Sequence, residues 1–177
     1  MLLSLLAAAL LQPVVADPKA PCRIEAARYA LRTDPSVTAE YHVVPRTEDW
    51  PAGVAMEIRF ARTGRAYWWL PTQGGTADNH GFRWTALKGT PEAVPGYRYN
   101  LGDMLYFAFD DDYAMRNESA RQGQKAPGNF FLYNMRETFW YRTPNDRRET
   151  ADRSLFDLVG CAPDGEAQPE IVFPPVP

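Results

Sequence analysis

The sequence predicts a mainly β domain, an antiparallel β-sandwich or barrel of about seven or eight strands with one short helix near residues 149–159. Three observations lead there. Apolar residues recur with a period of two rather than the helical 3.6, turn chemistry punctuates them at short intervals, and two cysteines stand near the two ends of the chain. The 177 residues suffice for one core, and a hydrophobic content of 45% with 13% aromatics excludes a disordered chain. Nineteen basic against 22 acidic residues give a net charge of −3, which leaves no cationic surplus for nucleic acid.

Residues 2–11 read LLSLLAAALL, and no charged side chain precedes Asp17. A short apolar core ending in small residues before a charged one is the pattern of a secretory signal peptide, with cleavage expected after Ala16. The run is shorter than the ~20 apolar residues a membrane-spanning helix needs, and no second such run follows, so no transmembrane segment is expected in the mature chain. Residues 1–16 are therefore read as a leader, 17–162 as a single β domain and 163–177 as a proline-rich extended tail. The expected destination is the periplasm or the medium. A strong excess of Arg over Lys fits a bacterial gene of high GC content. Cys22 and Cys161 are too far apart for a CxxC redox motif or a zinc site, and in an oxidising compartment they read as one disulfide clamping the two ends of the domain.

The strands follow in order. Ala27, Tyr29 and Leu31 suit a first strand, and Val37, Ala39, Tyr41 and Val43 alternate with polar residues in a second. Met56, Ile58 and Phe60 alternate with Glu57 and Arg59. A two-residue turn at Thr63-Gly64 would pair Phe60 with Tyr67 and Ile58 with Trp69, and would set Arg59 opposite Trp68. Phe82/Trp84, Tyr97/Tyr99/Leu101 and Leu105/Phe107/Phe109 continue the alternation. Phe131, Tyr133, Met135, Phe139 and Tyr141 suggest one long strand near 130–142. Ala151, Leu155, Leu158 and Val159 suit a helical face that Gly160 ends. Pro- and Gly-rich turns fall between these segments, and five of the 16 prolines lie in the tail.

The stretch from Tyr67 to Gly81 draws most attention. An aromatic strand with Trp68 and Trp69 runs into a Gly-rich polar loop carrying Asp78, Asn79 and His80. Adjacent Trp residues face opposite sides of a sheet, so one lies away from the core unless both faces are covered. An exposed indole beside amide and carboxylate groups is a means of holding a sugar ring, whereas covered indoles would mark two cores. Asp110, Asp111 and Asp112 form the one sharp acidic cluster. Three carboxylates at a strand end offer hard oxygens to calcium, and equally serve to terminate an edge strand. His42, on the polar side of its strand, reads as exposed.

Catalytic signatures are sparse. None of Ser36, Ser119 and Ser154 lies in a GxSxG elbow, and no phosphate-cradling glycine pattern occurs. The expected function is thus an exported binding module for a carbohydrate or envelope component, without a cofactor unless it be calcium. A small secreted hydrolase using carboxylates, and an envelope scaffold received through the tail, are the alternatives.

Overall fold

The period-two pattern becomes a closed antiparallel barrel in the computed structural model, which describes residues 22–73, 80–93, 100–162 and 168–174. The leader, Asp78 and Asn79 lie outside the described residues. The strands are β1 (Ala27–Leu31), β2 (Asp34–Val43), β3 (Val54–Phe60), β4 (Arg65–Gln73), β5 (His80–Leu87), β6 (Asp103–Phe109), β7 (Met115–Arg116), β8 (Asn129–Leu132), β9 (Leu155–Cys161) and β10 (Ile171–Val172). Eight of them close the wall: β1 to β6 pair in sequence, β6 pairs with β8, β8 with β9, and β9 with β1. Strands β7 and β10 are short additions, on β6 and β5 respectively.

One end, here called the lower, holds the start of β1 and the end of β9, where Cys22 and Cys161 form a disulfide across 139 positions with Cα atoms 5.9 Å apart. The other, upper end carries the turns after β1, β3, β5 and β8. Alternate residues of every wall strand point inward, and their rings fill the lumen. Tyr29 and Phe130 lie 4.8 Å apart between ring centroids, Phe82 and Tyr106 5.0 Å, and Phe130 and Phe156 4.9 Å. An eight-stranded barrel is just wide enough for side chains to fill it. Here they do.

The helix lies elsewhere than the sequence predicts. Residues 155–161 form strand β9, and the helix α1 spans Met135–Tyr141. Residues 149–159 do carry a helical apolar spacing, but the gap between β1 and β8 is closed only if this segment pairs with both, and tertiary pairing overrides local preference. The expected long strand near 130–142 is cut at Asn134. Its side-chain amide donates to the Asp103 carbonyl at 2.9 Å and its Oδ1 accepts from the Leu105 amide at 3.0 Å, ending the ladder. Beyond it Glu137 would have broken an apolar strand face, whereas Met135 and Phe139, four apart, share a buried helix face.

The β3–β4 turn is longer than the two-residue turn expected. Residues 61–64 form it, with Gly64 at φ +70° and its amide bonded to the Phe60 carbonyl at 2.8 Å. Ile58 therefore opposes Tyr67, Met56 opposes Trp69, and Glu57 takes the place opposite Trp68 that Arg59 was expected to hold. A shift of two preserves the faces, so Met56, Ile58, Phe60, Tyr67 and Trp69 still look inward.

Candidate functional site

Helix α1 lies over the upper mouth. Phe139, fully buried, meets Phe60 and Tyr67 at 4.9 Å and Trp69 at 6.1 Å between ring centroids. After it, the Thr143 hydroxyl donates to the Thr138 carbonyl at 3.2 Å, and Pro144 starts a 3-10 turn at Asn145–Arg147. That turn is fastened to β4: the Tyr67 hydroxyl donates to the Arg147 carbonyl at 3.1 Å, and Arg65 donates to the Asp146 carbonyl at 2.9 Å. A second 3-10 turn, Pro91–Ala93 beyond β5, reaches it through an Arg147–Glu92 ion pair.

Between these two lips and the upper ends of β4 and β5 lies a cleft of about 470 Å³. Tyr67, Trp68 and Trp84 line it as aromatics, and Thr85, Thr90 and Thr143 bring hydroxyls that donate to the Val172, Leu87 and Thr138 carbonyls and keep lone pairs with which to accept. Arg65, Glu92, Asp146 and Arg147 bring two charges of each sign. Burial, with the Glu149 carboxylate adding to it, pushes the Tyr67 phenol up to about 12, so it is a neutral donor across the physiological range. A concave site with an aromatic lining and a few polar groups is the ordinary form of a small-molecule site.

The sequence-selected residues divide. Trp69 is fully buried in the lumen, and Trp68, 9% exposed, lies on the outer face of β4. There it is covered in a second core with Val44, Trp50, Leu70 and Ile171. Both faces of this strand are thus covered. Trp68 opposes Thr85 near the top of the β4–β5 ladder, whereas His80 opposes Gln73 at its lower end. Both ring nitrogens of His80 are buried and have no hydrogen-bond partner among the described residues. Strand β10, within the tail, pairs Ile171 with Leu87, and the Trp50 indole donates to the Pro174 carbonyl at 3.2 Å.

The three aspartates at the lower end turn to separate partners. Asp110 lies 3.7 Å from Arg116, Asp111 lies 3.8 Å from Lys125, and Asp112 accepts from the Ala114 amide at 3.2 Å. Among the described residues no three His, Cys, Asp or Glu side chains converge as a metal site would require. His42, expected to be exposed, is largely covered. Its Nε2 is 3.0 Å from Glu57 Oε2 and its ring is 4.9 Å from that of Trp68.

Sequence reasoning missed Glu92, Thr143 and Arg147, because the cleft joins segments 55 and 80 positions apart and no local pattern marks them. It also missed Glu149, a fully buried carboxylate that accepts from Thr63 at 2.7 Å and from Arg65 at 3.1 Å. Among the described residues no helix is long and apolar enough to cross a membrane. The chain matches no family model, and no curated protein or solved structure matches it either.

Proposed function

We propose that this protein works outside the cytoplasm as a non-catalytic binding module, and that its ligand is a saccharide or similarly hydroxylated molecule held in the upper cleft. The observation that carries the reading is the cleft itself, with half-buried Trp84 and the threonine hydroxyls around about 470 Å³. Indole and hydroxyl together meet the two faces of a sugar, one apolar and one hydrogen-bonding. The charges do not favour an ionic ligand, since Arg147 is held by Glu92 and Arg65 by Glu149. The disulfide suits an oxidising compartment.

Tryptophan fluorescence tests it. Of the five tryptophans, Trp50, Trp68 and Trp69 are buried and Trp140 is 41% exposed, so a Trp140→Phe background makes Trp84 the chief quenchable indole. Titration with neutral maltooligosaccharides and chitooligosaccharides should protect Trp84 from acrylamide. Trp84→Ala should weaken binding by at least about tenfold while the near-ultraviolet dichroism of the core persists. No protection by any neutral sugar, or equal affinity without Trp84, removes the proposal.

A further inference from the structure

Strand β5 changes its partner on one side partway up. Its lower part, Gly81–Arg83, pairs with β6, and the Trp84 amide bonds the Gly102 carbonyl at 3.1 Å where β6 begins. Above this point the edge of β5 would present bare peptide groups, the template on which a further strand adds. The tail fills it. Ile171 opposes Leu87, Val172 opposes Ala86, and the Lys88 amide donates to the Glu170 carbonyl at 2.7 Å.

Side chains complete the hold. Ile171, 2% exposed, sits among Val44, Trp50, Trp68 and Leu70. Half-buried Phe173, two positions on, packs against the same cluster. The Thr85 hydroxyl donates to the Val172 carbonyl, and the Trp50 indole to the Pro174 carbonyl at 3.2 Å. Main-chain bonds along one edge, with alternate side chains set into apolar places, are the means by which a sheet takes an added peptide.

The wall does not depend on this segment. Strand β10 has two ladder pairs, against the seven joining β2 to β3, and it contributes no residue to the lumen. We propose that the trough between the β5 edge, Trp50 and Leu70 is a peptide-binding site, with the tail as its resident ligand. It takes in exchange an extended segment of a partner protein, with a β-branched residue at the Ile171 place and an aromatic one at the Phe173 place. A second copy of this chain is the poorer donor. Its tail would have to leave an identical trough, so the exchange makes no new contact yet ties two molecules together. A segment with no trough of its own leaves nothing behind. It competes with a tethered tail, whose local concentration is on the order of millimolar. The inference does not rest on the sugar reading of the cleft, because its test reads peptide binding.

Ile171→Asp in the full chain should turn the tail out and leave the lining of the trough in place. A fluorescein-labelled peptide of residues 168–175 should then bind saturably by anisotropy, with a Kd below about 1 mM. The parent should bind it at least about tenfold more weakly, because its own tail competes. The peptide carrying Ile171→Asp should not bind. Val172→Pro, which opposes pairing with Ala86, is a second way to empty the trough. The proposal is overturned if neither emptied variant binds the peptide, if parent and variants bind it alike, or if the altered peptide binds equally well. Loss of near-ultraviolet dichroism in both variants also overturns it, since the tail would then be part of the fold and not a ligand.

Discussion

Glu149 ties the hairpin between β3 and β4 to the segment that forms one lip of the cleft, and its replacement has a calculable cost. The carboxylate is fully buried. Oε1 accepts from the Thr63 hydroxyl at 2.7 Å and from Arg65 at 3.1 Å, and Oε2 from Arg62 at 3.4 Å. Arg62 is 67% exposed, so that long contact adds little. Glu149→Gln keeps the shape and can leave its carbonyl at the Oε1 position. It turns two charge-assisted bonds, worth about 1.5–3 kcal/mol each, into weaker ones of about 0.5–1.5. Because Arg65 is 38% exposed and water screens it, the net loss is about 1–2 kcal/mol. At roughly 2–4 °C per kcal/mol for a domain of this size, Tm should fall by about 2–8 °C.

Glu149→Ala removes the acceptor altogether, and should cost about 3 kcal/mol, below the upper range for breaking a buried pair because Arg65 can regain water. A double-mutant cycle with Arg65→Met should return a coupling of about 1 kcal/mol or more. Calorimetry on the four proteins measures all of this. If Glu149→Gln melts within about 1 °C of the parent, or Glu149→Ala is no worse than Glu149→Gln, the carboxylate does not hold the lip and the reasoning fails.

Two further outcomes follow from the barrel. Reducing the Cys22–Cys161 bridge reopens a loop of 139 positions, worth up to about 5 kcal/mol in chain entropy, so Tm with a reductant should drop by about 10–20 °C. A drop under about 3 °C would mean that the lower-end hydrogen bonds, Ile24 to Gln124 and Ala126 to Cys22, hold the ends without it. Alkali should destabilise the fold through the buried phenols. Burial pushes Tyr106 up to about 12, above the usual 10.0 that it regains on unfolding, so the folded state holds a proton that the unfolded state has lost. Stability is therefore level below about pH 10 and declines by about 1.4 kcal/mol per pH unit from this group between there and about pH 12. Urea midpoints taken at about pH 9 and pH 11 should diverge, and Tyr106→Phe should narrow the gap. Equal midpoints in the parent would contradict the burial effect.

Where polar residues alternate with apolar ones the sequence displays a strand, and β2 and β3 were legible from alternation alone, whereas on β6 the expected apolar set Leu105, Phe107 and Phe109 lies on the outer side and Met104, Tyr106 and Ala108 face the lumen. Legibility ends where spacing supports two readings. Residues 135–141 hold apolar groups at both strand and helix intervals, and only Asn134, spending its amide on β6, decides for the helix. Residues 149–159 have a helical face, yet the place in the wall between β1 and β8 is a strand's place, which only the closed ring reveals. The hairpin at Thr63-Gly64 was legible as a hairpin, but its register depended on a turn length that the two residues do not encode. The adjacent indoles illustrate the same limit. Opposite faces followed from the strand geometry, whereas the cover over Trp68 comes from Ile171, about a hundred positions away.

The filled lumen constrains what this barrel can do. Rings from β1, β2, β5, β6, β8 and β9 meet along its axis, so a ligand the size of a sugar has no entry there without displacing several fully buried side chains. A small ligand must then meet the barrel at its rim or on its outer surface, and the upper cleft, which mixes indole with hydroxyls and balanced charge, has the chemistry that suits a small polar one.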